Sequence, residues 1–192
     1  SEAYFNIGII FKKINKLDEA LDSYHKALNI KPDYVESFYN IAIIFQEQGK
    51  LNDAIEAHQK ALSLNPNYAE AYCNLGLSLK SQGKLNEAID SYQKALSLKH
   101  NNAEIYKNMG IALKEQGKLD DAIEKCKKAI DLNPNYAEAY NNMGLVLKDQ
   151  GKLDDAIEAH QKAIDLNPNY ALAYNNLGNL FKKQGKLDEA IE

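Results

Sequence analysis

The sequence predicts an all-α solenoid built by stacking helix–turn–helix units, and three observations carry that prediction. The first is a strict 34-residue period: Gly49, Gly83, Gly117, Gly151 and Gly185 recur at that spacing, as do Ala20, Ala54, Ala88, Ala122, Ala156 and Ala190. The second is the turn tyrosine, Tyr34, Tyr68, Tyr136 and Tyr170, with Asn102 in the missing slot. The third is the content of each period: two stretches of helical apolar spacing, separated by Gly and closed by Pro. A period of this size marks an architecture whose units bury their apolar faces only against each other. Such chains usually hold other molecules; they rarely do chemistry.

Ala69 to Asn102 serves as a reference unit, numbered 1 to 34. Its first helix covers positions 1–14, with Tyr72, Leu75, Gly76 and Leu79 at positions 4, 7, 8 and 11. Gly83 at position 15 ends that helix, because Gly tolerates the left-handed conformation. Asn15 fills the slot in the first unit. The second helix is expected to start at Asn86 as N-cap, with Glu87 in the first turn. Its stripe is Ala88, Ile89, Tyr92, Ala95 and Leu96. Pro32, Pro66, Pro134 and Pro168 stop the second helices, and His100 stands in the third. The next first helix is expected to open with a capping box, Asn67 with Glu70 at N3; Asp33…Glu36, Asn101…Glu104 and Asn135…Glu138 repeat it. Small residues at positions 8, 20 and 27 let helices approach, and bulky ones at 4, 11 and 24 fill the gaps.

This pattern resembles the tetratricopeptide repeat: Tyr at 4, Leu or Ile at 7, Gly or Ala at 8, Ala at 20, aromatic at 24, Ala at 27 and Pro at 32. The resemblance spans the whole chain as repeats 1–34, 35–68, 69–102, 103–136, 137–170 and a partial sixth at 171–192. It implies one right-handed α-solenoid over 1–192, a superhelix whose first helices line a concave groove that binds peptides or protein segments.

Helical geometry indicates which residues such a groove presents. Positions 4, 7, 8 and 11 fall on one side of the first helix, and positions 2, 6, 9 and 13 on the other. Position 6 is Asn in every copy: Asn6, Asn40, Asn74, Asn108, Asn142 and Asn176. An amide offers donors and an acceptor. The row can pair with the backbone of an extended ligand, or it can bond to neighbouring repeats and stabilise the stack. It is similar to the asparagine ladder of the O-linked N-acetylglucosamine transferase repeats, which implies a grip on polypeptide backbone. Position 9 carries Ile9, Ile43, Leu77, Ile111 and Leu145, then Asn179. That row is either a sticky strip for ligand side chains or packing between adjacent first helices. Lys107 at position 5 stands isolated on this face, so the two-carboxylate clamp of the chaperone-tail-binding repeats is not expected. Glu2, Glu36, Glu70, Glu104 and Glu138 at position 2 read as helix-start acids. Lys12, Lys80, Lys114, Lys148 and Lys182 at position 12 read as a solvated flank.

Composition narrows the function classes. The 23 basic residues are all Lys, against 27 acids, for a net charge of −4. Without Arg, the two-pronged reader of phosphate and carboxylate is missing, so nucleic acid is not an expected partner. No run of about 18 apolar residues exists to span a bilayer, and no basic-then-apolar leader opens the chain. Cys73 and Cys126 read as free thiols of a reducing, cytoplasmic compartment. His58 and His160 share position 24, a packing slot, three repeats apart. They cannot meet at one metal, and His25 and His100 read as surface and turn. Acid pairs such as Asp120-Asp121 sit at helix starts. No nucleophile, phosphate-loop or metal motif is present, so no enzymatic activity, cofactor or metal is expected.

The expected function is a non-catalytic scaffold that binds a protein or extended peptide in the concave groove. The alternatives are a substrate-recognition arm of a larger multidomain enzyme, such as a glycosyltransferase, or a self-association module. The first residue is not Met and already stands in repeat register, as in a piece of a longer protein. Residues 188–192 would form a stub of the last second helix, too short to be stable alone. Leu177, Leu180 and Phe181 would then lose their cover, and end-to-end self-association through this uncapped repeat could hide them.

Overall fold

The computed structural model describes residues 1–185, and among these the chain forms eleven helices and no strand. Contacts divide the chain into two compact units, Ser1–His100 and Asn101–Glu192. The first unit holds α1 (Glu2–Lys13), α2 (Leu17–Ile30), α3 (Val35–Glu47), α4 (Leu51–Leu64), α5 (Ala69–Ser81) and α6 (Leu85–Leu98). The second holds α7 (Ala103–Glu115), α8 (Leu119–Leu132), α9 (Ala137–Asp149), α10 (Leu153–Leu166) and α11 (Ala171–Gln184). The boundary falls at the third-repeat turn, where His100 replaces Pro. The expected stub at 188–192 lies outside the described residues.

Within each unit the helices pair as antiparallel hairpins, and each second helix also packs on the following first helix. The hairpin turn is set by backbone. Gly49, Gly83, Gly117 and Gly151 have φ between 71° and 80°, and Asn15 takes the same left-handed region at 59°. Position 16 N–H then reaches back to the position 11 carbonyl, as in Lys50 to Phe45 (2.8 Å) and Lys118 to Leu113 (2.9 Å). This six-to-one bond satisfies a carbonyl that the helix end leaves open.

The helix starts differ from expectation. The second helices begin at Leu of position 17, and their N-caps are Lys50, Lys84, Lys118 and Lys152, with no side-chain cap bond. The Asn or Asp of position 18 is already inside the helix and is used otherwise. Asn52 accepts from Gln82 Nε2 (2.6 Å), Asp120 from Gln150 (2.7 Å) and Asp154 from Gln184 (2.9 Å). These bonds tie one repeat to the next. The capping boxes also do not form: Tyr34, Tyr68, Tyr136 and Tyr170 are the N-caps, without side-chain caps. The asparagine one turn earlier organises the loop instead. Asn65, Asn133 and Asn167 accept from the N–H groups of Asn67, Asn135 and Asn169 at 3.1–3.2 Å, an Asx turn. Where Pro and Tyr are both lost, Asn102 becomes a true side-chain cap, accepting from Glu104 N (3.0 Å) and Ile105 N (3.2 Å).

The core follows the expected small positions and adds two. Ala20, Ala54, Ala88, Ala122 and Ala156 at position 20 are fully buried, as are Ala27, Ala61, Ala95, Ala129 and Ala163 at position 27. From the second repeat on, positions 3 and 10 of the first helix are equally buried, which the apolar spacing did not indicate; in the first repeat Ala3 and Ile10 are exposed. In four repeats the buried occupants complement each other in size, Ser37 with Ile44, Ile105 with Ala112, Ala139 with Val146 and Ala173 with Leu180, and in the third both are small, Ala71 and Ser78. The aromatic residue at position 4 is less covered than expected; Phe38, Tyr72, Tyr106 and Tyr140 are half-buried. Leu177 and Leu180, expected to lose their cover, are buried. Leu177 packs with Ala163 and Ile164 of α10.

Position 24 is buried in all five repeats and faces position 8 of its own hairpin. A Cβ on Gly8 would lie 2.5 Å from the Tyr24 ring, on Gly76 2.5 Å from Tyr92, and on Gly144 2.7 Å from His160. On Gly110 it would lie 3.1 Å from Cys126 Sγ. Burial pushes the Cys126 thiol up to about 12 and Tyr24 up to about 12. Cys126 is therefore an inert thiol. Burial also pushes His58 and His160 down to about 4, helped at His160 by the charge of Lys148.

Two predictions follow from this slot. His160→Tyr, opposite Gly144, should change stability by no more than about 1 kcal/mol. His58→Tyr, opposite Ala42, should lose about 2 kcal/mol or more by overpacking, and Ala42→Gly should restore it; chemical denaturation of the variants measures both. The histidines also make stability depend on pH. Their folded pKa values lie below the ordinary histidine value, so unfolding takes up protons below about pH 6.5. Stability should be intact at pH 7 and fall as pH drops toward 4, by up to about 1.4 kcal/mol per pH unit for each histidine. Replacing His160 by Tyr should remove about half of that slope in denaturation midpoints measured between these pH values.

Candidate ligand-binding face of the first helices

The exposed side of the first helices is built from positions 2, 5, 6, 9, 12 and 13, and their neighbours decide which side chains remain available. Position 5 meets the tyrosine that closes its own repeat. Phe5 lies 4.9 Å from the Tyr34 ring, Tyr39 lies 4.8 Å from Tyr68, and the Lys107 ammonium sits 5.5 Å over Tyr136. Lys107 is held there by a cation–π contact. In the fifth repeat Asn141 hydrogen-bonds Tyr170. Burial, with Tyr39 and two nearby glutamates, pushes the Tyr68 hydroxyl up to about 12.

The asparagines of position 6 are not equivalent. In the first unit Asn6 is exposed, and Asn40 donates to its own helix at Glu36 O (2.8 Å). Asn74 Nδ2 donates to the Tyr39 hydroxyl of the previous repeat (2.9 Å). In the second unit Asn176 Nδ2 donates to Asn141 Oδ1 of the previous repeat (3.0 Å). The same oxygen lies 3.0 Å from His160 Nδ1. Because a carbonyl oxygen accepts only, Nδ1 carries the proton and Nε2 does not. Asn108 is 5% exposed and offers no free rung. Asn142 is half-buried, and its amide makes no side-chain hydrogen bond among the described residues. The row thus divides: Asn40, Asn74 and Asn176 are bonded within the stack, Asn108 is buried, and Asn6 and Asn142 are left open, Asn142 at a cavity.

That cavity, about 220 Å³, lies between α7 and α9 and is lined by Gly110, Ile111, Lys114, Glu115, Asn142 and Leu145. Its apolar walls are the position 9 pair Ile111 and Leu145, both half-buried. In the first unit Ile9, Ile43 and Leu77 are half-buried too, and Ile9 packs against the core around Ile41 and Ala42. The lysines of position 12 are more than a solvated flank. Lys114 pairs with Asp149 (2.9 Å) and Lys12 with Glu47 (3.5 Å), each across to the next repeat. Glu70 of the position 2 row is bonded to Lys99. Among the described residues no group of three or more His, Cys, Asp or Glu could hold a metal, and no helix is long and apolar enough to cross a membrane.

The sequence matches the profile of the TPR repeat family at residues 8–49, 44–83, 76–117, 112–151 and 145–185. Among solved structures it is similar to MamA, with 31% identity over 86% of this chain and 96% of that one, and a TM-score of 0.79. It is similar to YrrB, described as a TPR protein with an unusual peptide-binding site, at 26% identity over 90% of this chain and 89% of that one, with a TM-score of 0.76. The likeness to PilW, a type IV pilus biogenesis factor, is one of fold: 21% identity, 99% and 88% coverage, TM-score 0.90. No curated protein sequence matches significantly.

The division within the asparagine row is measurable. Asn74→Ala should cost about 1 kcal/mol of stability by removing the bond to Tyr39. Asn142→Ala should cost less than about 0.5 kcal/mol. Urea denaturation of the two single variants compares them directly.

Proposed function

The chain belongs to the tetratricopeptide repeat family, and from that premise we propose that it is a non-catalytic scaffold that binds an extended segment of a partner protein. The binding surface is the exposed side of the first helices, and its anchor point is the cavity between Ile111 and Leu145. The observation that carries this reading is the unspent amide of Asn142 beside a cavity of about 220 Å³ with aliphatic walls. An amide with free donors and acceptor can pair with a peptide backbone, and the flanking aliphatic walls can take one side chain of the ligand. Lys107 and the position 6 residues Asn6 and Asn40 extend the surface in their own units. Asn74, Asn108 and Asn176 support it from within the stack. The peptide-binding site attributed to YrrB supports a peptide partner for a chain with this repeat.

The test is selection of extended peptides on the immobilised chain, followed by titration of the best binder. Asn142→Ala and Leu145→Asn are the diagnostic variants; Asn is what the sixth repeat carries at this position, in Asn179. Each should weaken binding about tenfold with unchanged circular dichroism. Equal affinity in both variants would remove the cavity from the binding surface.

A further inference from the structure

A second concavity lies on the other side of the second unit, between α8 and α10, with a volume of about 650 Å³. Its floor is Tyr140, Met143 and Leu147 of α9, at positions 4, 7 and 11, with Ile123 of α8 beside them. This is the apolar side of the first helix, and Tyr140 and Met143 remain half-buried within the cleft. A stripe at i, i+3 and i+7 is the footprint of one helical turn after another.

The α10 wall supplies charge in a particular order. Lys152, Asp155, Glu158 and Lys162 line it in sequence, so two exposed carboxylates one turn apart are bracketed by cations. Asp165 follows beyond Lys162, and Lys127 stands on the α8 wall. The first unit has the equivalent cleft, about 460 Å³, floored by Phe38, Ile41 and Phe45 with Asp53 and Glu56 on its wall. There Glu56 is engaged by Lys60 at 2.8 Å, which holds its carboxyl below the usual range. Asp155 and Glu158 have no ion-pair partner among the described residues.

We infer that the α8–α10 cleft docks an amphipathic helix of a partner protein, whose apolar stripe lies on Tyr140, Met143 and Leu147 and whose central cation meets Asp155 and Glu158. The helix-in-groove mode supplies the apolar contact. The order of charges along α10 sets the preference for a cation in the middle of the segment and against one beside Lys152 or Lys162. This surface is separate from the cavity at Asn142, so the chain can hold two partners at once.

The chain has two methionines, Met109 and Met143, and only Met143 lines the cleft. Methyl NMR of the full chain with isotope-labelled methionine therefore reads the cleft directly, with buried Met109 as internal reference. The probe is a synthetic amphipathic helix with leucines at i, i+3 and i+7 and lysines in its central turn. The control has the same composition with its lysines moved to the ends. The Met143 methyl should shift saturably with the probe, Met109 should stay, and the control should bind at least about tenfold more weakly. The exposed double variant Asp155→Lys, Glu158→Lys should lose the same factor, while Leu145→Asn should leave the titration unchanged. The inference is overturned if Met143 does not move at millimolar probe, if probe and control bind alike, or if the double variant retains full affinity.

Discussion

The close approach of the two helices in each hairpin is the constraint on which the remaining structure depends. It is set where position 8 faces position 24. A full tyrosine ring at 24 stands over Gly8 and Gly76, with no room for even a Cβ. The smaller imidazole of His58 coexists with Ala42, and both are buried. Size is thus exchanged across the first three hairpins, while Gly144 and Gly110 stay small even against His160 and Cys126, and Ala at positions 20 and 27 keeps the remaining contact flat. Interiors packed to crystal-like density transmit such exchanges to their neighbours. In the fifth repeat, though not at His58 in the second, the polar ring in this slot has a further consequence. The imidazole of His160 needs a partner in the first helix, Asn141 provides it, and the same Asn141 oxygen binds Asn176 of the next repeat. A packing choice inside one hairpin becomes a link between hairpins.

That link explains why the asparagine row is not a uniform ladder. An amide on a first helix has two competing claims: a ligand on the open side, and position 5 of the preceding repeat on the flank. Where position 5 is Tyr39 or Asn141, it offers a polar group and captures the following amide, Asn74 or Asn176. Where position 5 is Lys107, the ammonium lies over Tyr136. The next amide, Asn142, is then left with no hydrogen-bonding neighbour there. The unspent amide and the cavity beside it thus arise from one local difference, a lysine in place of a tyrosine or asparagine.

The fold was legible in the sequence because its signals are periodic. Gly at 15 repeats often enough to reveal the left-handed turn, and Ala at 20 and 27 to reveal the closest contact. The caps were not legible, for a physical reason. Asn and Asp are good helix N-caps in general, but here position 17 is Leu and the preceding turn is already closed by the bond from position 16 to position 11. The helix starts earlier, and the polar residue at 18 falls inside it, free to accept from glutamine of the next repeat. Positions 3 and 10 were missed because Ser37, Ser78 and Ala112 do not read as apolar stripe residues, although Ser37 and Ala112 pair with the larger Ile44 and Ile105 to fill the core. At the site, Ile111, Asn142 and Leu145 were foreseen as members of rows. Their convergence on one cavity depends on neighbours across repeats, which spacing within one helix does not encode.

The two concavities of the second unit differ in the chemistry they offer because they use opposite sides of the same helix. On one side, α9 presents Asn142 and Leu145, a single amide with a small apolar wall, suited to a main chain and one side chain. On the other it presents Tyr140, Met143 and Leu147, a broad apolar floor beside carboxylates. The 34-residue spacing repeats both sides in every unit, but it does not make every copy available. In the first unit Lys60 occupies the wall carboxylate and Tyr39 occupies the amide, each at under 3 Å. At the amide, the copy open to a partner is the one where Lys107 has replaced the competitor at position 5; at the wall carboxylate the second and fifth repeats carry the same Glu and Lys, and of these, among the described residues, only Glu56 and Lys60 are paired.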